Sequence, residues 1–140
     1  MKFNIVSEKA MQQLGVKLAQ KLGSNAVIEL IGDVGAGKTT LVKGIGRGLG
    51  IAETIQSPSY TIFCKYEGSE KELHHYDFYR LSEPGLISYD LEESLQTDNA
   101  IVVVEWADTV KGVLPPDHIS IYLRSTGEHE REVTIEGIDI

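Results

Sequence analysis

Residues 32–39 read Gly-Asp-Val-Gly-Ala-Gly-Lys-Thr: a glycine, four residues, a second glycine, then lysine and threonine. That spacing suits the gripping of phosphate. Glycines let a tight loop turn successive backbone N–H groups towards phosphate oxygens, and a helix that starts at the loop's end presents its positive terminus to them. Lys38 is then expected to reach the β and γ phosphates, and the Thr39 hydroxyl to ligate magnesium. The nucleotide-binding set predicted from the motif is Asp33, Val34, Gly35, Ala36, Gly37, Lys38, Thr39 and Thr40. The alternative is a glycine-rich turn that merely joins strand to helix. The flanks favour the cradle, because an apolar β-rich run at 26–31 precedes it and Leu41, Val42, Ile45 and Leu49 follow at helical spacing.

A phosphate loop needs a second group for magnesium, usually a carboxylate at the end of a buried strand beside the phosphate strand. Glu105 fits, closing the apolar run 100–104; the plainer reading is an ordinary acidic residue at a strand end. Trp106 beside it reads as core or interface. The run His75-Tyr76-Asp77-Phe78-Tyr79-Arg80 places ionisable and aromatic groups at the end of another expected strand, where ligands of α/β sheets bind. Asp77 is the second carboxylate candidate. It would orient the attacking water or join the magnesium shell through water, unless it only pairs with Arg80 on the surface. His74 reads as solvated and His75 as a structural histidine. The hydroxyl-rich loop Ser57-Pro58-Ser59-Tyr60-Thr61 is a candidate switch around a γ phosphate, or a plain polar loop.

These groups need a frame. Ser7 can cap a helix in which Met11, Leu14, Leu18 and Leu22 recur every three to four residues, stopped by Gly23-Ser24-Asn25. Gly44, Gly46 and Gly48 weaken the helix after the cradle by about 1 kcal/mol each relative to Ala, so close packing must offset them. Residues 60–66 and 73–78 read as a hairpin across the polar turn 67–71. Ser82-Glu83-Pro84-Gly85 punctuates, 90–95 reads as a short helix, and 100–104 as a buried central strand. A short helix through Val110 stops before Pro115-Pro116, and 119–123 with 131–135 forms a second hairpin around Gly127. The expected fold is α/β, one domain over residues 1–140, with a mixed, partly parallel central sheet flanked by helices.

Composition sets the outer limits. The chain has 140 residues with 41% hydrophobic and 24% charged composition, the range of an ordinary globular domain. Its longest apolar runs are far below the roughly 20 residues of a membrane span, and residues 1–9 lack a secretory leader's apolar core, so a cytoplasmic protein is expected. The one cysteine, Cys64, has no internal partner and reads as a packing residue. A net charge of −8 repels phosphate backbones, which makes a protein partner the expected neighbour and any tRNA contact indirect. Asn4, Asn25 and Asn99 do not start an Asn-Lys-x-Asp guanine reader, which favours ATP over GTP. With only Arg47, Arg80, Arg124 and Arg131, an arginine-rich kinase lid looks thin, whereas a nucleotide-sensing interaction module stays open beside the ATPase.

Taken in order, the cradle 32–40, Ser57-Pro58-Ser59-Tyr60-Thr61, His75-Tyr76-Asp77-Phe78-Tyr79-Arg80, Leu91-Glu92-Glu93 and Val104-Glu105-Trp106 resemble the TsaE family, formerly YjeE, bacterial ATPases of tRNA threonylcarbamoyladenosine biosynthesis. The resemblance spans most of the chain. Val34 stands where the family usually has leucine, and Asp90 where it usually has glycine. The resemblance implies a small P-loop NTPase that supports, by binding and hydrolysing ATP with Mg2+, a TsaB–TsaD type complex transferring a threonylcarbamoyl group to adenosine 37 of tRNA. Separately, no obvious arginine finger accompanies the cradle, so weak, partner-stimulated turnover is expected. The resemblance also implies Lys38 and Thr39 as phosphate and magnesium ligands, Glu105 as second magnesium ligand, Asp77 as needed for turnover, and Ser57 to Thr61 as the switch. Glu8 and Arg131 would flank the nucleotide.

Overall fold

Strand β5 (Ala100–Glu105) is buried at every position, as a continuous apolar run between two helical layers must be. It lies within one seven-stranded sheet of order β1-β7-β6-β2-β5-β4-β3, in the computed structural model that describes residues 1–58, 61–81, 85 and 87–140. The other strands are β1 (Lys2–Ile5), β2 (Val27–Ile31), β3 (Phe63–Glu67), β4 (Glu72–Asp77), β6 (Ile119–Ser125) and β7 (Arg131–Glu136). β6, β2, β5 and β4 run parallel, and antiparallel partners close both edges, β7 and then β1 on one side and β3 on the other. The sheet is therefore mixed and partly parallel, as expected.

Alternation along the strands sends side chains to two cores. Ile28, Leu30, Leu73, Ile101, Val103 and Ile121 face the layer of α1 (Glu8–Lys21) and α2 (Lys38–Gly48). Val27, Tyr76, Val102 and Val104 face the other layer, which holds α3 (Ile87–Leu95) and a 3-10 segment at Ala107–Val113. Ser7 caps α1 as anticipated, its hydroxyl accepting the Ala10 N–H at 3.0 Å. The two helices of the first layer cross at glycines: a Cβ on Gly44 would collide with the Gln12 backbone, and one on Gly15 with the Leu41 carbonyl oxygen. That close approach is the compensation that the helix glycines required. Cys64 is half-buried against the same core.

Several boundaries differ from the sequence expectations. β1 was not anticipated; it adds to β7, burying Ile5. β3 starts at Phe63 rather than at residue 60, because Ile62 has a left-handed φ of 70° and donates its N–H to Pro58 O at 2.6 Å, a turn that no strand tolerates. α3 begins at Ile87, three residues ahead of the expected start. His74 is not solvated: it is 5% exposed, with Nδ1 2.7 Å from Ser94 Oγ and Nε2 2.8 Å from Glu72 Oε1, which ties β4 to α3. Ser59 and Tyr60 of the candidate switch, and Ser82, Glu83 and Pro84 of the expected break, lie outside the described residues. Among the described residues, no helix is long and apolar enough to cross a membrane.

Candidate functional site

The parallel strands β2, β5 and β4 end together at the start of α2, the position at which α/β sheets bind ligands. The loop 32–37 leaves β2 and turns back into α2 through two left-handed glycines, Gly35 with φ 85° and Gly37 with φ 103°. Gly37 is the N-cap of α2 and offers no side chain to the first turn, so the helix's leading N–H groups depend on a ligand or solvent. Of the loop residues, Val34, Gly35 and Gly37 border a cavity of about 380 Å3, as do Lys38, Thr39 and Thr40 of α2. Asp33 and Ala36 do not border it. The Ala36 side chain is packed in the core and its N–H donates to Asp33 O at 3.1 Å, so this residue stiffens the turn.

Lys38 is only 7% exposed. Its ammonium donates to Gly32 O at 2.5 Å, lies 3.8 Å from Glu105 Oε1, and stands 4.2 Å from the ring centre of Trp106. Burial pulls its pKa below the ordinary lysine value, against which Glu105, Asp77 and Asp33 pull upward. Trp106 thus has a place that its sequence reading missed: it forms a cation–π face for the lysine, and its left-handed φ of 55° turns the chain out of β5 directly after Glu105. Its adjacency to Glu105 was the signal available.

The carboxylates arrive by sheet register. Asp77 pairs with Glu105 across β4 and β5, and Phe78 N–H extends the ladder to Glu105 O at 3.0 Å. Both side chains are 3% exposed and border the cavity. Asp77 Oδ1 accepts the Tyr79 N–H at 2.9 Å. Asp77 is thus a buried carboxylate at a strand end rather than a surface one. Glu8 enters from the first turn of α1, and Ser57 from the loop before β3. Arg131 enters from β7, with Nη2 donating to Gly35 O at 3.2 Å and Nη1 to the carbonyls of Gly127, Glu128 and Glu130. Ser7, Met11, Glu128 and His129 also border the cavity, and no local pattern in the sequence connects them to the loop.

Among the described residues, no three His, Cys, Asp or Glu side chains gather to hold a metal by themselves. Magnesium needs no such cage, since it takes one or two protein oxygens and completes its shell with phosphates and water. Thr39 and Glu105 both border the cavity, and their hydroxyl and carboxylate could supply that number.

Comparison with known proteins follows the same lines. Residues 5–133 match the family model described as threonylcarbamoyl adenosine biosynthesis protein TsaE. The tRNA threonylcarbamoyladenosine biosynthesis protein TsaE of a Nostoc species is 36% identical over 96% of this chain and 84% of its own length. Its namesake in Bacillus subtilis is 36% identical over 80% of this chain and 70% of its own length. The crystal structure of YdiB from Bacillus subtilis superposes with a TM-score of 0.76 at 32% identity, covering 96% of this chain and 83% of that one. On a family match over residues 5–133 and relatives 36% identical over most of its length, the chain belongs to the TsaE family of threonylcarbamoyl adenosine biosynthesis proteins.

Proposed function

We propose that the chain binds ATP with Mg2+ in this cavity and hydrolyses it slowly, in support of a TsaB–TsaD type complex that places a threonylcarbamoyl group on adenosine 37 of tRNA. Family membership supports a nucleotide-binding P-loop protein of tRNA threonylcarbamoyladenosine biosynthesis. The observation that favours the ATPase reading most is that Lys38, Thr39, Asp77 and Glu105, drawn from three separate elements, border a single cavity.

In this reading the loop amides and the first turn of α2 hold the phosphates, and Lys38 exchanges Gly32 O and Glu105 for β and γ oxygens. Thr39 Oγ1 and Glu105 would hold the magnesium ion, which would supply neutralisation of the phosphate charge. Asp77 orients the attacking water or takes its proton. Glu8 and Arg131 flank the nucleotide. Arg131 is the arginine that borders the cavity among the described residues, and its guanidinium is already committed to loop carbonyls. The charge stabiliser for transfer is therefore supplied by another chain, which makes isolated turnover weak and partner-stimulated. Contact with tRNA is through partners, in keeping with the charge of −8, and the protein works in the cytoplasm.

Single-turnover hydrolysis measured with the chain alone and with a TsaB–TsaD type complex tests this reading. The expected result is a faster rate with the complex, by 10-fold or more. Equal rates would contradict the partner-dependent mechanism.

A further inference from the structure

His75 has no exposed surface, and nothing in the reading above uses it. It lies on β4 two residues before Asp77, on the strand face turned towards α1 and α2, because alternation groups it with Leu73 and Asp77. On β5 the same face carries Val103 and Glu105, and the parallel register sets His75 beside Val103 and Asp77 beside Glu105. The imidazole therefore sits diagonally behind the Glu105 carboxylate, with Nε2 2.5 Å from Oε2. The other carboxylate oxygen, Oε1, faces Lys38 Nζ at 3.8 Å. Nδ1 is buried and, among the described residues, has no hydrogen-bond partner.

That asymmetry selects the tautomer. A proton on Nδ1 alone would set the bare Nε2 lone pair against a carboxylate oxygen, whereas a proton on Nε2 makes that contact a hydrogen bond and leaves Nδ1 a bare acceptor. We propose that His75 is a positioning residue for magnesium: its Nε2–H holds Oε2 of Glu105, so that Oε1 is left to the phosphate end of the cavity, where the ion binds. The proposal rests on the reading of Glu105 as a magnesium ligand. Outer hydrogen-bond donors of this kind fix the orientation of a ligating carboxylate, and their loss typically weakens metal affinity 10- to 100-fold. A histidine that only filled space would leave magnesium dependence alone.

ATP titrated calorimetrically into the wild type, His75→Leu, His75→Gln and Glu105→Gln, over a range of MgCl2 concentrations and in EDTA, separates these roles. His75→Leu is expected to raise the magnesium concentration that half-maximally tightens ATP by roughly 10-fold while leaving the affinity in EDTA within about twofold. His75→Gln, whose amide nitrogen reaches the place of Nε2, recovers most of the loss. If His75→Leu does not fold, His75→Asn, whose amide stops short of Oε2, replaces it with the same expectation. Wild-type magnesium dependence in the folded variant, beside a shift in Glu105→Gln, would overturn the role of His75 alone. No shift in either would overturn the Glu105 reading and this proposal with it. An equal loss in EDTA, or no recovery in His75→Gln, would leave His75 a packing residue and overturn the proposal.

Discussion

At the residue scale, what could be read in advance is what local chemistry dictates. A glycine, lysine and threonine at fixed spacing constrain one another through the backbone, so the tight loop running into a helix was legible from residues 32–39 alone. The place of Glu105 was legible because a phosphate loop calls for a carboxylate at the end of a buried neighbouring strand, and the structure puts it there, bordering the cavity. His74 was misread as solvated, since its partner Ser94 lies 20 residues away; His75 was legible as a structural histidine and Trp106 as a packing residue, but their partners Glu105 and Lys38 were not, because no local spacing reveals them. Gly37 carries the loop's sharpest demand, with φ at 103° and the Met11 methyl 3.0 Å from where a Cβ would stand. A side chain in that region costs about 1–3 kcal/mol. Gly37→Ala is therefore expected to weaken ATP binding roughly 10-fold, read by calorimetry, and undiminished affinity would mean that the loop does not need this turn to grip phosphate.

At the element scale, periodicity was a sound guide wherever an element buries a regular face. α1, α2, β5 and the hairpin of β6 and β7 follow their patterns. The exceptions are elements whose form is imposed by neighbours. β1 spans only Lys2–Ile5, too short to display a period, and is held by pairing to β7. The segment after Trp106 is a 3-10 helix broken at Val110, whose φ of −125° is not helical. The glycines of α2 show packing overruling propensity. Ala in place of Gly44 would gain about 1 kcal/mol of helix propensity, yet its Cβ would meet the Gln12 backbone of α1, which cannot move aside as a side chain can. Gly44→Ala is expected to destabilise the fold by about 1–3 kcal/mol in urea unfolding. A stabilised variant would show that the two helices do not cross this closely.

At the scale of the whole molecule, the strand order was beyond the sequence, because β2 lies between β5 and β6 only through crossovers that no local pattern encodes. That order is what makes a site, bringing Asp77 and Glu105 side by side across from Lys38. The opposite core also leaves a mark on stability. Burial pushes the Tyr76 phenol from 10.0 up to about 12, only partly opposed by its hydrogen bond with Ser94. The unfolded chain thus releases this proton first, and the stability that depends on it is present below pH 10 and is lost as pH climbs towards about 12. In Tyr76→Phe the fall of unfolding free energy with pH across that window should be shallower by up to about 1.4 kcal/mol per pH unit, and an unchanged slope would rule out a buried phenol. The central claim is simpler: one loop, one lysine and one threonine hold a triphosphate. Calorimetry of ATP with MgCl2 into the folded wild type and into Lys38→Ala tests it most directly. Saturable heat from the wild type, with affinity lowered roughly 10- to 100-fold in the variant, is the expected result; no heat from the wild type, or equal affinity in both proteins, would contradict it.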